Sequence, residues 1–199
     1  VAEELTLLRR LGLDSSSTLV DIGAGTGQFA IAAATVCRRV VAVDVSPVML
    51  TVLQKKIQAA GLTNIDVINA GFLTYQHHTA PADFVYSRYA LHHLPDFWKA
   101  LALRRLRACI RTGGALRLWD IVYSFDASEA VDRLDAWCET LDETSDDGWT
   151  RADIIEHVRD EHSTFNWLLE PMIARSGFEI EETEYSADGI FAKYVARAV

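Results

Sequence analysis

The chain has 199 residues, half of them apolar, with 19 basic against 28 acidic side chains and a net charge of −9. That length supports one globular domain with a full hydrophobic core, and the acidic balance argues against a surface that tracks nucleic-acid phosphates. Cys37, Cys109 and Cys138 are odd in number, far apart and outside any CxxC arrangement, which disfavours a disulfide framework or a zinc site and fits a reducing, cytoplasmic setting.

No apolar run approaches a membrane span, and no secretory pattern is present. The chain opens at Val1 in a helical pattern without a methionine, which leaves room for residues upstream. From Thr18 onward, short β-rich runs alternate with helical patterns. "TLVDIG" is an apolar strand ending in glycine, and "GQFAIAAATVC" follows as a small-residue, buried helix. "RVVAVDV" is the second strand. Ser46 is then a natural N-cap with Pro47 at the first helical position, and that helix stops at Gly61. "NIDVINA" and "ADFVYSRY" are the third and fourth strands. A helix is predicted from about Asp96 to Arg111, closed by Gly113 and Gly114, before a fifth strand, "ALRLWDIVY". The arginines of "RRLRACIR" fall on the solvated face of that helix, because Leu103, Leu106 and Ile110 recur at helical spacing.

Continuous apolar strands separated by helices indicate a parallel sheet covered on both faces. The pattern breaks after Tyr123. Residues 124–176 read as a helical insertion with an acid-rich centre, "ETLDETSDDGW", and are expected to form a substrate wall or lid within a single domain spanning 1–199. "FEIEETEY" and "GIFAKYVARAV", joined by the short "SADG", close the chain as an antiparallel hairpin.

"VDIGAGTGQF" sets Gly23, Gly25 and Gly27 between a strand and a helix. Glycine allows a sharp turn and close ligand approach, and helix N-terminal amides point at the same spot. Asp44 ends the next strand, where a carboxylate can accept both hydroxyls of a ribose. The frame is one residue short of the dinucleotide fingerprint G-x-G-x-x-G, which disfavours a nicotinamide-dependent oxidoreductase. Asp21, just before the turn, is a poor neighbour for a pyrophosphate and a good one for an amino-acid amine.

"VDIGAGTG" with Asp44, "SRYALHHL" and "RTGGALRLWD" resembles the class I S-adenosylmethionine-dependent methyltransferases, in particular their small-molecule branch. The resemblance runs from about Thr18 to Tyr123 and resumes in the closing hairpin. It implies a Rossmann-like three-layer α/β sandwich whose seven-stranded, mostly parallel sheet has the order 3-2-1-4-5-7-6, the last strand antiparallel. It further implies S-adenosylmethionine as cofactor, S-adenosylhomocysteine as product, and a small molecule as methyl acceptor at O, N or C.

Residue by residue, the resemblance places Asp21, Gly23, Ala24 and Gly25 along the methionine and ribose, and Asp44 and Val45 at the ribose hydroxyls. Ser46 and Met49 fall near the adenine edge, and Ser87 with Arg88 at the end of the fourth strand. In "NAGFLTY", Gly71 and Phe72 stand where the family often has a small residue and an acid, so adenine is expected against backbone amides and an aromatic face.

A sulfonium methyl is already activated, so a general base is needed only where the acceptor must lose a proton. The candidate bases or substrate contacts are His92, Tyr123 and His162, with Asp120 on the same rim. His92 is expected beside the cofactor and His93 in support of the loop. Trp137, Trp149, Trp167 and the stretch "STFNWLLEPMI" could line an apolar pocket, although docking the insertion on the sheet is the favoured reading for most of them. No metal is expected: His92–His93 and His77–His78 are adjacent pairs that point apart on regular structure and lack the i, i+4 spacing of a helical metal site. A non-catalytic module that retains the cofactor is the main alternative to an enzyme.

Overall fold

The computed structural model describes residues 1–139 and 150–199. The first half contains α1 (Ala2–Arg10), β1 (Thr18–Ile22), α2 (Gln28–Ala34), β2 (Arg39–Asp44), α3 (Pro47–Ala59), β3 (Ile65–Asn69), β4 (Ala82–Arg88), α4 (Asp96–Cys109) and β5 (Ile110–Tyr123). A single 3-10 turn, Leu91–His93, separates β4 from α4. Then come α5 (Ala130–Glu139), α6 (Arg151–Asp160), the two-residue β6 (Thr164–Phe165), α7 (Asn166–Arg175), β7 (Phe178–Tyr185) and β8 (Phe191–Ala198).

The sheet order is β3-β2-β1-β4-β5-β8-β7, with β6 pairing on β5 off this path. Neighbours among β1 to β5 are parallel, and β8 is antiparallel to both β5 and β7. Apart from the short β6, this is the predicted order with its antiparallel closing strand. The central strands β1, β2, β4, β5 and β8 are mostly buried, as a parallel sheet between helical layers requires, while the edge strands β3 and β7 are more open. Val20, Val41, Val43, Val85 and Leu116 pack toward α4 and α7, while Leu19, Val40, Ala42, Phe84 and Ala115 pack toward α1, α2 and α3. Alternation along each strand thus feeds two cores at once.

Local chemistry explains the helix ends. Ser46 Oγ accepts from the Met49 N–H at 3.3 Å, and Pro47 opens α3 as predicted. The end of α4 differs from expectation. It stops at Cys109 and the chain passes directly into β5, so Gly113 and Gly114 lie within a strand and do not close the helix. The β4–β5 register jumps from Ala82↔Ile110 to Phe84↔Ala115 around them. A Cβ on Gly114 would lie 2.8 Å from the Asp83 carbonyl oxygen, and Gly113 has φ +77°. These glycines permit a bulge. The arginines nearby are occupied within the fold: Arg111 pairs with Asp83 at 2.7 Å, Arg105 donates to the Tyr75 carbonyl, and Arg107 donates to the carbonyls of Gly177 and Val199.

The insertion divides in two. Leu169 and Ile173, four apart on α7, are buried in the core shared with α4, so α7 belongs to the layer over the sheet and not to a wall beyond it. Residues before it form a separate cluster, in which Trp137 and Ile154 pack with Ile121, Tyr123, Phe125 and Ile190. Trp137 therefore docks the insertion. Trp167 is exposed and stacks on Phe165. Trp149 and most of the acid-rich centre lie outside the described residues.

α1 is fastened by a buried ion pair. Glu4 and Arg117 of β5 form two hydrogen bonds, 2.8 and 2.7 Å, with both side chains 6% exposed. Removing one partner leaves the other charge buried and alone, which typically costs about 3–5 kcal/mol. Glu4→Ala is therefore expected to lower unfolding free energy by about that amount in urea titration; a loss under about 1 kcal/mol would show that the pair is solvated.

Candidate functional site

The strand order reverses between β1 and β4, whose crossovers run to opposite sides of the sheet. The loops beyond their C-terminal ends separate there and leave a crevice. A cavity of about 520 Å3 occupies it, a volume suited to a small-molecule ligand. Its walls come from the glycine turn (Ile22, Gly23, Gly25), the end of β2 and start of α3 (Asp44, Val45, Ser46, Met49), the loop after β3 (Ala70–Thr74) and the corner after β4 (Tyr89, Ala90, His93, Leu94).

The three glycines do different work. Gly23, Gly25 and Gly27 all have positive φ, at +77°, +54° and +77°. A Cβ on Gly23 would strike Ala90 Cβ at 2.3 Å, and one on Gly27 would strike Leu53 at 2.0 Å. They therefore pack the turn against the β4 corner and α3. Only at Gly25 is nothing within 4 Å of the added Cβ, and this glycine faces the cavity. Asp44 clamps the turn: its Oδ2 accepts from the Gly25 N–H and its Oδ1 from the Ser46 N–H, each at 2.8 Å. Each carboxylate oxygen keeps a further lone pair.

Of the residues proposed to hold the cofactor, Gly23, Gly25, Asp44, Val45, Ser46, Met49, Gly71 and Phe72 meet on the cavity wall. Asp21, Ala24, Ser87 and Arg88 do not line it. Ala24 packs against the α1–α3 core. Arg88 lies against β5, with its guanidinium 4.0 Å from the Trp119 ring and 4.8 Å from the Tyr89 ring. Asp21 and Ser87 are buried, and among the described residues Asp21 Oδ2 and Ser87 Oγ have no hydrogen-bond partner. Buried polar atoms are normally paired, so orphans at the ends of β1 and β4 suit a polar ligand arriving there.

Burial, with the nearby Asp44 charge, pushes the Asp21 carboxyl up to about 7, against the pull of the Ala30 backbone N–H. The folded chain then holds a proton that the unfolded chain releases above about pH 4. Stability contributed by this group is present at low pH and lost as pH rises from about 4 toward 7. The limiting slope is about 1.4 kcal/mol per pH unit. Asp21→Asn is expected to lose about 2–3 kcal/mol less stability between pH 5 and pH 8 than the parent chain. Parallel denaturation profiles across that range would contradict the burial argument.

The histidine pair is placed in the reverse order to expectation. His93 lines the cavity, whereas His92 is 3% exposed and lies behind it. The cause is Asp120 at the end of β5. Its Oδ2 accepts from the backbone N–H groups of Leu91 and His92, at 2.8 and 3.1 Å, and its Oδ1 accepts from the Ile121 N–H and pairs with His92 Nδ1. On its other side His92 Nε2 meets Glu161 Oε2 at 2.8 Å. The same Glu161 oxygen lies 3.0 Å from His157 Nδ1 and 3.2 Å from His93 Nδ1. Burial, together with the neighbouring His92, lowers the pKa of His93 and of His157.

Tyr123 and His162 do not reach the cavity wall. Tyr123 is packed against Phe125 and Phe165, and burial raises its pKa, which disfavours a phenolate base. The His162 side chain is exposed; its backbone N–H donates to the His92 carbonyl at 2.9 Å and its carbonyl accepts from Lys99 Nζ. Sequence reading missed Tyr89, whose φ of +51° is strained for a bulky residue and which contributes to the cavity wall. It also missed His157 and Glu161, although "HVRDE" carries their i, i+4 spacing.

Residues 19–114 match the sequence model of a family described as a methyltransferase domain. An uncharacterized methyltransferase of Anoxybacillus flavithermus is 22% identical, over 83% of this chain and 82% of that protein. The uncharacterized methyltransferase YrrT of Bacillus subtilis is 24% identical, over 85% of this chain and 73% of its own length. Among solved structures, an S-adenosylmethionine-dependent methyltransferase from Mesorhizobium loti superposes with a TM-score of 0.70 at 20% identity, covering 99% of this chain and 98% of that one. The domain match spans the glycine turn, Asp44 and the β4 corner, and the chain shares the Rossmann-like fold of that solved structure, so it is similar to the methyltransferases in both sequence and fold.

Proposed function

We propose that this chain transfers the methyl group of S-adenosylmethionine to a small-molecule acceptor at O, N or C. The observation that carries the reading is Asp44, whose carboxylate bounds the cavity while facing the glycine turn. When bound, the cofactor supplies an electrophilic methyl on a positively charged sulfur.

The residues fit that group. Asp44 has lone pairs left for two ribose hydroxyls beyond those taken by Gly25 and Ser46. Gly25 leaves the approach open. Val45 and Met49, exposed on the wall, and buried Phe72 would cover an adenine with apolar surface. Asp21 and Ser87, set back from the cavity wall, keep oxygens unpartnered among the described residues that would answer a methionine ammonium reaching past it. Tyr89, His93 and Leu94 would shape the wall where the acceptor enters. Holding the acceptor in line with the S–CH3 bond and keeping water out is the main task, and such positioning contributes about 7–11 kcal/mol in favourable cases.

A base is required only for an acceptor that must lose a proton. His93 is the imidazole on the wall among the described residues, and its lowered pKa keeps it neutral and able to accept near neutral pH. His92 would position the corner through Asp120, with Tyr123 and His162 further from the chemistry.

Hydrogen bonds to a charged acceptor contribute about 1.5–3 kcal/mol each, and tenfold in affinity is about 1.4 kcal/mol. Asp44→Ala is expected to weaken S-adenosylmethionine binding by about 10- to 100-fold or more in calorimetry. Unchanged affinity would remove the ribose assignment. Tight NADH binding without S-adenosylmethionine binding would overturn the cofactor, and cofactor binding without labelled-methyl transfer across a metabolite panel would favour the non-catalytic module.

A further inference from the structure

We propose that His92, His157 and Glu161 form a binding site for one divalent transition-metal ion, Zn2+ foremost, which fastens α6 to the corner beside the cavity. One donor atom from each of the three side chains lies within 4.8 Å of the others. Glu161 Oε2 is 2.8 Å from His92 Nε2 and 3.0 Å from His157 Nδ1. A tetrahedral Zn2+ with bonds of about 2.0–2.1 Å holds its ligand atoms roughly 3.3 Å apart. Both Glu161 distances are close to that spacing, and the two imidazole nitrogens, within 4.8 Å of each other, would draw together around an ion.

The surroundings match the pattern of a metal site. A metal-ligating imidazole usually has its second nitrogen fixed by a carboxylate, a backbone carbonyl or a water. His92 Nδ1 is held by Asp120, and His157 Nε2 by Ser163 Oγ at 2.8 Å. Both histidines are almost fully buried, at 3% and 2% exposed, so neither ring is free to turn away. Two imidazoles and one carboxylate select zinc and its neighbours over magnesium or calcium, which prefer oxygen. A fourth position remains for water, as in three-ligand zinc sites. His93 Nδ1, 3.2 Å from the same Glu161 oxygen, extends the cluster to the cavity wall. The competing reading is a proton-sharing network in which Glu161 serves the three imidazoles without an ion. The proposal does not depend on the identity of the cofactor.

The test uses untagged full chain, stripped with chelator and dialysed. Zn2+ titration by calorimetry is expected to show one ion per chain at micromolar affinity or tighter. His157→Ala and Glu161→Gln should weaken it at least 100-fold, and Asp120→Asn about 10-fold, as for outer-shell partners. Glu161→Gln keeps the size and hydrogen bonding of the side chain, and its thermal melt checks folding. X-ray absorption of the zinc-loaded parent chain is expected to show two imidazole nitrogens and oxygen at about 2.0 Å, a readout that requires no variant. No binding tighter than millimolar, equal affinity in the parent and Glu161→Gln chains, or a sulfur-containing or all-oxygen shell would overturn the proposal. S-adenosylmethionine affinity, measured separately, tells this failure apart from failure of the methyltransferase reading.

Discussion

The reversal of strand order between β1 and β4 is the constraint on which the rest of the molecule depends. Right-handed crossovers that leave the two strands on opposite sides cannot bring their loops together. The gap is thus a property of topology and needs no side chain to hold it open. Everything with chemical character gathers around it: the glycine turn follows β1, Asp44 ends β2, Gly71 and Phe72 follow β3, and Tyr89 to His93 follow β4. The two cores that bury the sheet have the task of keeping these four strand ends in register.

Within that gap one carboxylate has two tasks. Asp44 fixes the turn by accepting from Gly25 and Ser46, and presents its remaining lone pairs to the cavity. The hydrogen bonds that pre-shape the loop therefore come from the group that would also read a ribose, so little reordering is left for the moment of binding. Asp21 works in the opposite sense. It is buried, close to Asp44, unpartnered at one oxygen and pushed toward its protonated form. A cationic amine would relieve that situation, which makes Asp21 a store of unfavourable electrostatics awaiting an opposite charge.

Much of this was legible in the sequence because it is local. The Ser46-Pro47 helix start, the glycine turn and the closing hairpin each rest on a few consecutive residues. The failures came where distant residues decide. Gly113 and Gly114 read as a helix stop, but Asp83 and the β4 register make them a strand bulge. His92 and His93 are equivalent on paper. Asp120, twenty-eight residues from His92, selects which of them turns inward. The His92, His157 and Glu161 group as a whole is likewise invisible to local spacing, since it draws one member from the β4 corner and two from the end of α6. Tyr123 looked polar enough for chemistry, yet its ring is claimed by aromatic neighbours.

Position 162 illustrates a different kind of constraint. The backbone there is gripped from both sides, its N–H by the His92 carbonyl and its carbonyl by Lys99, and two residues later Thr164 and Phe165 pair with β5. None of these contacts uses the imidazole, which lies in solvent. The fold therefore recognises residue 162 by the path of its main chain and is indifferent to its side chain. Proline alone is barred, for want of the N–H. A position can be fixed by its main chain while its side chain is left free of the fold.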